Sequence, residues 1–348
     1  IIMATGNIDS FNLKNIAKGG VINEDVMQKI FDISKIPLPF TDMVGSTKHK
    51  NEKFEWVVDE LRAPDVTNAR VDGADAGTAG TAGGARVGNH SQISDEVIAV
   101  SYRADASDVV GRTKELAYRI TRGGQQIRRD VEAISLNNQA SVAGTDTVAG
   151  VTGGLPSWIE TSVFDASGTA ATGGGFNTTS GLTAKCPVGD GTGATGLSFA
   201  GVKTAIQAVY EEGGDVSVLM SSPAVIGSLS TYMFDNEARV ATLTADQGKD
   251  GSKATALASV NVLVSDFGTV KLVANRLQPA DANGNHFAFL LDPEYVSLSY
   301  MENYRTDSLA KTGLAERRQI SVDWGVRCHT EKAHGMIVGI DPAEAATA

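Results

Sequence analysis

The residue types best suited to chemistry gather near the end of the chain. Cys328, His329 and His334 stand together in "CHTEKAH", a thiol and two imidazoles close enough in sequence to raise a zinc site. Zinc in a structural site takes four ligands, commonly as two spaced pairs. No second pair stands at matching spacing, and no helix aligns the two histidines, so this segment reads as a strand end with surface histidines. Gly77, Gly80, Gly83 and Gly84 lie in "VDGADAGTAGTAGGARVGN" and raise a phosphate cradle instead. A dinucleotide loop needs a strand before its glycines and a helix after them, and a P-loop needs G-x-x-x-x-G-K-[ST]. Neither requirement is met. Glu211 with Glu212, and Asp323 near Glu331, read as solvated charges. G-x-S-x-G is missing, Cys186 and Cys328 lack activating neighbours, and the five histidines are scattered. The expectation is a protein that is not an enzyme and holds no cofactor or metal.

The elements explain more than the motifs. Asn23 is a cap for a helix over "EDVMQKIFDI", and Pro37 and Pro39 impose an extended path after it. Residues 54–61 and 97–103 alternate with period two and flank the glycine-rich span, which predicts a long hairpin-like arm. A long helix is expected from Ser107 or Asp108. Its apolar stripe is Leu116, Ile120, Ile127, Val131 and Ile134, with Ala117 beside it and Arg119, Arg122 and Arg128 mostly away from it. Gly123 and Gly124 within that helix mark a bend or a close backbone contact. Residues 138–197 are turn-dense, with Trp158, Ile159 and Phe164 pinning part of the span to a surface. Ser198 caps a helix ended by Gly213 and Gly214. A buried strand, a second helix near 224–233 and three further strands follow, giving an α+β region. Finally Val296, Leu298 and Tyr300, then Ile320, Val322, Trp324 and Val326, alternate as long antiparallel strands with one wet face. The tail "DPAEAATA" is expected to fray.

Composition narrows the class. The chain has 348 residues, 42% hydrophobic and 20% charged, with a net charge of -11. That is a globular composition, and its acidity argues against gripping nucleic acid by phosphate neutralisation. The apolar runs are too short to cross a membrane and no signal peptide opens the chain. Two cysteines imply no disulfide framework and synthesis in a reducing compartment.

The order of these elements resembles the major capsid proteins of tailed bacteriophages with the Hong Kong 97-type fold. The segment "LAKTG…RRQISVDWGV…EKAHG", with "FDISKIPLPFTDMVG" upstream, is similar to the SU-ten-like major capsid family. The resemblance implies an α+β fold divided into an N-terminal arm (1–44), an extended E-loop (45–105) and a spine helix of the peripheral domain (106–145). A glycine-rich insertion or axial-domain loop (146–197), an axial domain (198–291) and closing peripheral strands with the tail (292–348) complete it. It implies self-assembly as hexamers and pentamers into an icosahedral head enclosing double-stranded DNA, in a virion made in the bacterial cytoplasm. Scaffolding and portal proteins, and a decoration or cement protein, are the implied partners. The absence of a long segment before the arm implies scaffolding that is separate or removed. Expected subunit contacts are Phe54, Trp56, Asp72, Gly77, Gly80, Gly83, Arg86, Arg119, Arg122 and Arg128, with Gly123 and Gly124 as a hinge. The alternatives are an encapsulin-like compartment shell or, in another class, a hydrolase or a surface adhesin.

Overall fold

The computed structural model describes residues 37–76, 83–107, 114–187, 195–235, 262–311 and 313–347. The predicted helix over "EDVMQKIFDI" lies outside them. Two sheets organise the rest. A four-stranded sheet joins β1 (Gly45–Lys48), β12 (Val296–Ser308), β13 (Ala315–Cys328) and β4 (Gln92–Ser101), in that spatial order. A six-stranded sheet orders β5 (Val163–Asp165), β14 (Gly335–Ile340), β11 (His286–Leu291), β8 (Val218–Ser221), β10 (Gly268–Ala274) and β9 (Val262–Ser265). The six-stranded sheet is covered on both faces, which is why "VLMS" and "HFAFLL" read as near-continuous apolar runs. On one face Leu219, Ala288, Leu290 and Ile337 pack against helices α4 (Phe199–Glu211) and α5 (Pro223–Asp235). On the other, Met220, Phe287 and Phe289 share a core with the helix α3 (Glu115–Ser135) and the four-stranded sheet.

The sequence-derived elements recur with several corrections. The hairpin is formed by β2 (Lys53–Val58) and β3 (Ala85–His90), paired from Lys53↔His90 to Val58↔Ala85. Residues 97–103 are not its second strand. β4 passes beyond the hairpin and pairs with β13, from Gln92↔Trp324 to Ser101↔Ala315. Ser101 then caps the short helix α2 (Tyr102–Ala106) by accepting the Ala104 N–H. The long helix starts at Glu115, not at 107–108, and the Asp105 carboxylate accepts the Leu116 N–H in its first turn. Pro39 does not prolong an extended path. It opens the short helix α1 (Pro39–Met43), a position where its fixed φ suits the helix and its missing N–H costs nothing.

Two edges are also firmer than expected. The closing strands have a wet face only in their outer half. Nearer the base Ser297, Ser299 and Gly325 are buried, because the hairpin root lies over them. A Cβ on Gly325 would sit 2.7 Å from the Phe54 ring. The tail does not fray before residue 347: Thr347 bridges the start of α4, its C=O accepting from Phe199 N and its N–H donating to Leu197 O. Trp158 and Ile159 are buried, as their type predicted, and the glycine-rich span supplies β5 together with the small hairpin of β6 (Phe176–Asn177) and β7 (Leu182–Thr183).

Candidate intersubunit arm

The β2–β3 hairpin is rooted in the body of the subunit by an aromatic row. His49 stacks on Phe54 at 4.5 Å between centroids, Phe54 lies 6.0 Å from Trp56, Trp56 5.2 Å from Trp158, and Trp158 5.8 Å from Phe176. The Arg327 guanidinium sits 5.4 Å from the Phe54 centroid and 5.5 Å from that of Trp56. Trp56 Nε1 donates to the His329 carbonyl at 3.2 Å. Phe54 is 4% exposed, so it and Trp56 hold the hairpin to its own subunit. Asn89 of β3 locks the other side. Its Nδ2 donates to Val326 O at 2.7 Å, Thr152 Oγ1 at 3.0 Å and Gly153 O at 3.3 Å, while its Oδ1 accepts from Gly153 N and His90 N at 2.9 Å each.

Beyond this root the side chains face solvent. Every residue from 59 to 76 is exposed, including Leu61, Val66 and Val71. Asp72 is among them, Gly83 is exposed with open space about it, and Gly77 and Gly80 lie outside the described residues. Arg86 projects from β3 and pairs with Glu55 across the hairpin. Among the described residues of this stretch, the one long-range tether is the ion pair of Glu60 with Lys332 at 3.0 Å.

The arginines of α3 have partners within the chain. Arg119 pairs with Glu115 at 2.8 Å, Arg122 donates to the Tyr118 hydroxyl at 3.2 Å, and Arg128 approaches Asp42 of α1 at 3.9 Å. An open cleft of about 490 Å³ runs beside this face, lined by Thr41, Ile120, Gly124, Arg128, Tyr300 and Tyr304. The two helix glycines differ. A Cβ on Gly123 would meet Ile98 Cδ1 at 2.8 Å and Ile320 Cδ1 at 3.1 Å, both buried, whereas one on Gly124 meets nothing within 4 Å. Gly123 is therefore a close-contact residue. Gly124→Ala is expected to raise stability by up to about 1 kcal/mol through helix propensity. Gly123→Ala is expected to lower it by about 1 kcal/mol, overpacking outweighing the same gain. Denaturant unfolding of the two variants checks the ordering, and equal effects would contradict it.

Of the "CHTEKAH" histidines, expected at the surface, His329 is half-buried beside Ser297 and His334 lies in the interior. His334 is fully buried, its Nδ1 accepting the Asp292 N–H at 3.3 Å and its Nε2 facing the Tyr295 carbonyl at 3.4 Å. Burial holds its pKa down to about 4 and pushes the Cys328 thiol up. Glu211 and Glu212 are exposed, Glu212 pairing with Lys332 at 3.0 Å, whereas Glu331 accepts from the Glu160 and Thr161 amides. Burial also raises the Asp323 carboxyl. For His334 the unfolded chain takes up its proton near pH 6.5 and the folded chain only near 4. Its stabilisation is therefore complete above 6.5 and lost as pH falls, by roughly 2 kcal/mol between pH 7 and 5. Burial lowers His49, His90, His286 and His329 in the same direction. His334→Gln is expected to flatten the pH dependence measured by denaturant unfolding, and an unchanged slope would refute the assignment.

Comparison with known proteins agrees with an assembly protein. The SU10 major capsid protein family model matches residues 4–341. The major capsid protein of Escherichia phage Phieco32 is 24% identical over 326 residues, covering 86% of this chain and 89% of that protein. Among solved structures, the capsid of an empty GTA particle aligns with a TM-score of 0.59 at 11% identity, covering 96% of this chain and 100% of that one. The holo-SrpI encapsulin complex of Synechococcus elongatus PCC 7942 aligns with a TM-score of 0.55 at 10% identity, covering 97% and 99%. Such remote likenesses establish the shared Hong Kong 97-type fold, common to phage heads and encapsulin shells, and the family match separates the two. The chain belongs to the SU10 major capsid protein family, whose members build the icosahedral phage head.

Proposed function

We propose that this capsid subunit uses the segment 45–105 as an arm whose tip, residues 59–84, packs on the neighbouring copy while β1, β4 and the hairpin root hold it to its own subunit, with residues 1–44 as a second arm anchored at Phe40. The observation that carries this reading is the contrast along one hairpin. Its root is held by five aromatic rings and Asn89, while residues 59–76 bury nothing within their own chain. Exposed Leu61, Val66 and Val71 become favourable only when a neighbour covers them. α3 serves as the spine of a peripheral domain, with Gly124 leaving room for bending between hexamer and pentamer. Residues 198–291 form the axial domain, and 146–197 an insertion beside it. Arg119, Arg122 and Arg128 face the same neighbour, exchanging intrachain partners for intersubunit ones. Double-stranded DNA is enclosed by the acidic shell and not gripped by it. Scaffolding and portal proteins, and a decoration protein, complete the particle, which is assembled in the host cytoplasm.

Electron microscopy of the purified full chain tests the reading. Closed shells with residues 59–84 lying on an adjacent subunit are expected. Shells in which that segment contacts only its own subunit would overturn it.

A further inference from the structure

Glu132 lies in the last turns of α3 and is fully buried. Among the described residues no cation pairs with it. It is held by hydrogen-bond donors from two other parts of the chain. Oε1 accepts from Phe40 N at 2.8 Å and from Asn275 Nδ2 at 2.7 Å, and Oε2 accepts from Thr41 N at 2.7 Å and Thr41 Oγ1 at 2.5 Å. Phe40 and Thr41 stand in the first turn of α1, directly after Pro39. Asn275 follows β10 and is fixed to the six-stranded sheet, its N–H donating to Ser221 O at 2.8 Å and its Oδ1 accepting from Leu277 N at 2.9 Å. One carboxylate thus joins α3, the end of the N-terminal segment and the six-stranded sheet across sequence separations of 91 to 143 residues.

A buried carboxylate is tolerated only where its oxygens are saturated with donors. Here two oxygens meet four donors. Glutamine cannot replace it, because an amide offers one acceptor oxygen and turns an NH2 toward N–H groups. Aspartate is one methylene short. The choice of residue is therefore set by the junction, and removing any one arm of it weakens the hold on the others.

We propose that Glu132 is the positioning residue for the N-terminal arm. It fixes where the chain at Phe40 and Thr41 joins the subunit, and through Asn275 it couples that junction to the setting of the six-stranded sheet against α3. A displacement of the sheet is then transmitted through Glu132 to α1. The inference rests on the reading of residues 1–44 as an intersubunit arm.

Amide hydrogen exchange of the full-length protein tests it at Phe40 and Thr41. Glu132→Gln is expected to speed exchange at both by at least about tenfold. Asn275→Ala is expected to speed both several-fold, although the Asn275 side chain bonds to Glu132 and not to either amide. Unchanged exchange in Asn275→Ala would overturn the coupling, and unchanged exchange in Glu132→Gln would overturn the positioning role. Thr41→Val, which removes only the hydroxyl, keeps the test open should Glu132→Gln misfold; it is expected to speed exchange at Thr41, and no change there would count against the junction. Microscopy of the same variants separates the two readings. Faster exchange with malformed shells supports both, whereas faster exchange with normal shells leaves the junction standing and overturns the arm.

Discussion

Excision of residues 62–83 is expected to leave a folded subunit that no longer closes into shells. β2 and β3 end opposite one another at Val58↔Ala85, so the remaining Asp59, Glu60, Leu61 and Gly84 suffice for a tight hairpin loop. The Glu60–Lys332 pair survives. The excised stretch contributes no buried side chain among its described residues, so the unfolding midpoint should stay within about 0.5 kcal/mol of the parent. The yield of closed particles, read by microscopy and light scattering, should fall at least about tenfold. A tenfold change in one association constant corresponds to about 1.4 kcal/mol, and the deficit repeats at every contact of a closed shell. A cut shifted toward β3, 72–88, would be a poor test, because it removes Ala85 to Gly88 and with them most of β3. Normal shells from the 62–83 excision would remove the assembly role of the arm.

Asn89→Ala should be among the most damaging single substitutions in the subunit. The side chain is fully buried and makes five hydrogen bonds, to β13, to Thr152 and Gly153, and to the neighbouring His90 amide. Truncation strands the Gly153 N–H and the Val326 and Gly153 carbonyls, each away from water, so the expected cost is about 3–5 kcal/mol. Asn89→Asp should do no better, since a second oxygen would face the two carbonyls that Nδ2 now serves. Denaturant unfolding measures the loss. Limited proteolysis should show cleavage spreading from 59–76 into β2 and β3, because Asn89 is what ties the hairpin to β13. A loss below about 1 kcal/mol would show that the aromatic row alone holds the root.

How far the sequence could be read depended on whether the signal was local. Strand alternation identified β13 and the stripe of α3 because burial on one face repeats at a fixed period. The same alternation could not name a partner. Residues 97–103 looked like the return strand of the hairpin because nothing in their pattern distinguishes pairing with β2 from pairing with β13. His334 was read as a surface residue for a related reason: its burial follows from the turn at 329–335 folding under Asp292 and Tyr295, which no nearby residue announces. Asn89, Glu132 and Arg327 left no trace in the sequence, since the residues beside a polar side chain give no hint of partners 60 to 240 residues away. Gly123 was legible as unusual, but whether it served a bend or a close contact depended on Ile98 and Ile320. The contact surfaces are not written in any one chain at all, because their complement belongs to a second copy.

The four-stranded sheet draws its strands from both ends of the described chain: β1 pairs with β12 and β4 with β13, bringing together side chains 250 residues apart such as Thr47 and Ser297. A growing chain therefore has nowhere to seat the hairpin until β12 and β13 leave the ribosome, and contacts this remote in sequence form slowly. Synthesis itself acts as a timer. An unfinished chain carries the hairpin with no platform beneath it, and the sheet that seats it closes only when the last strands emerge.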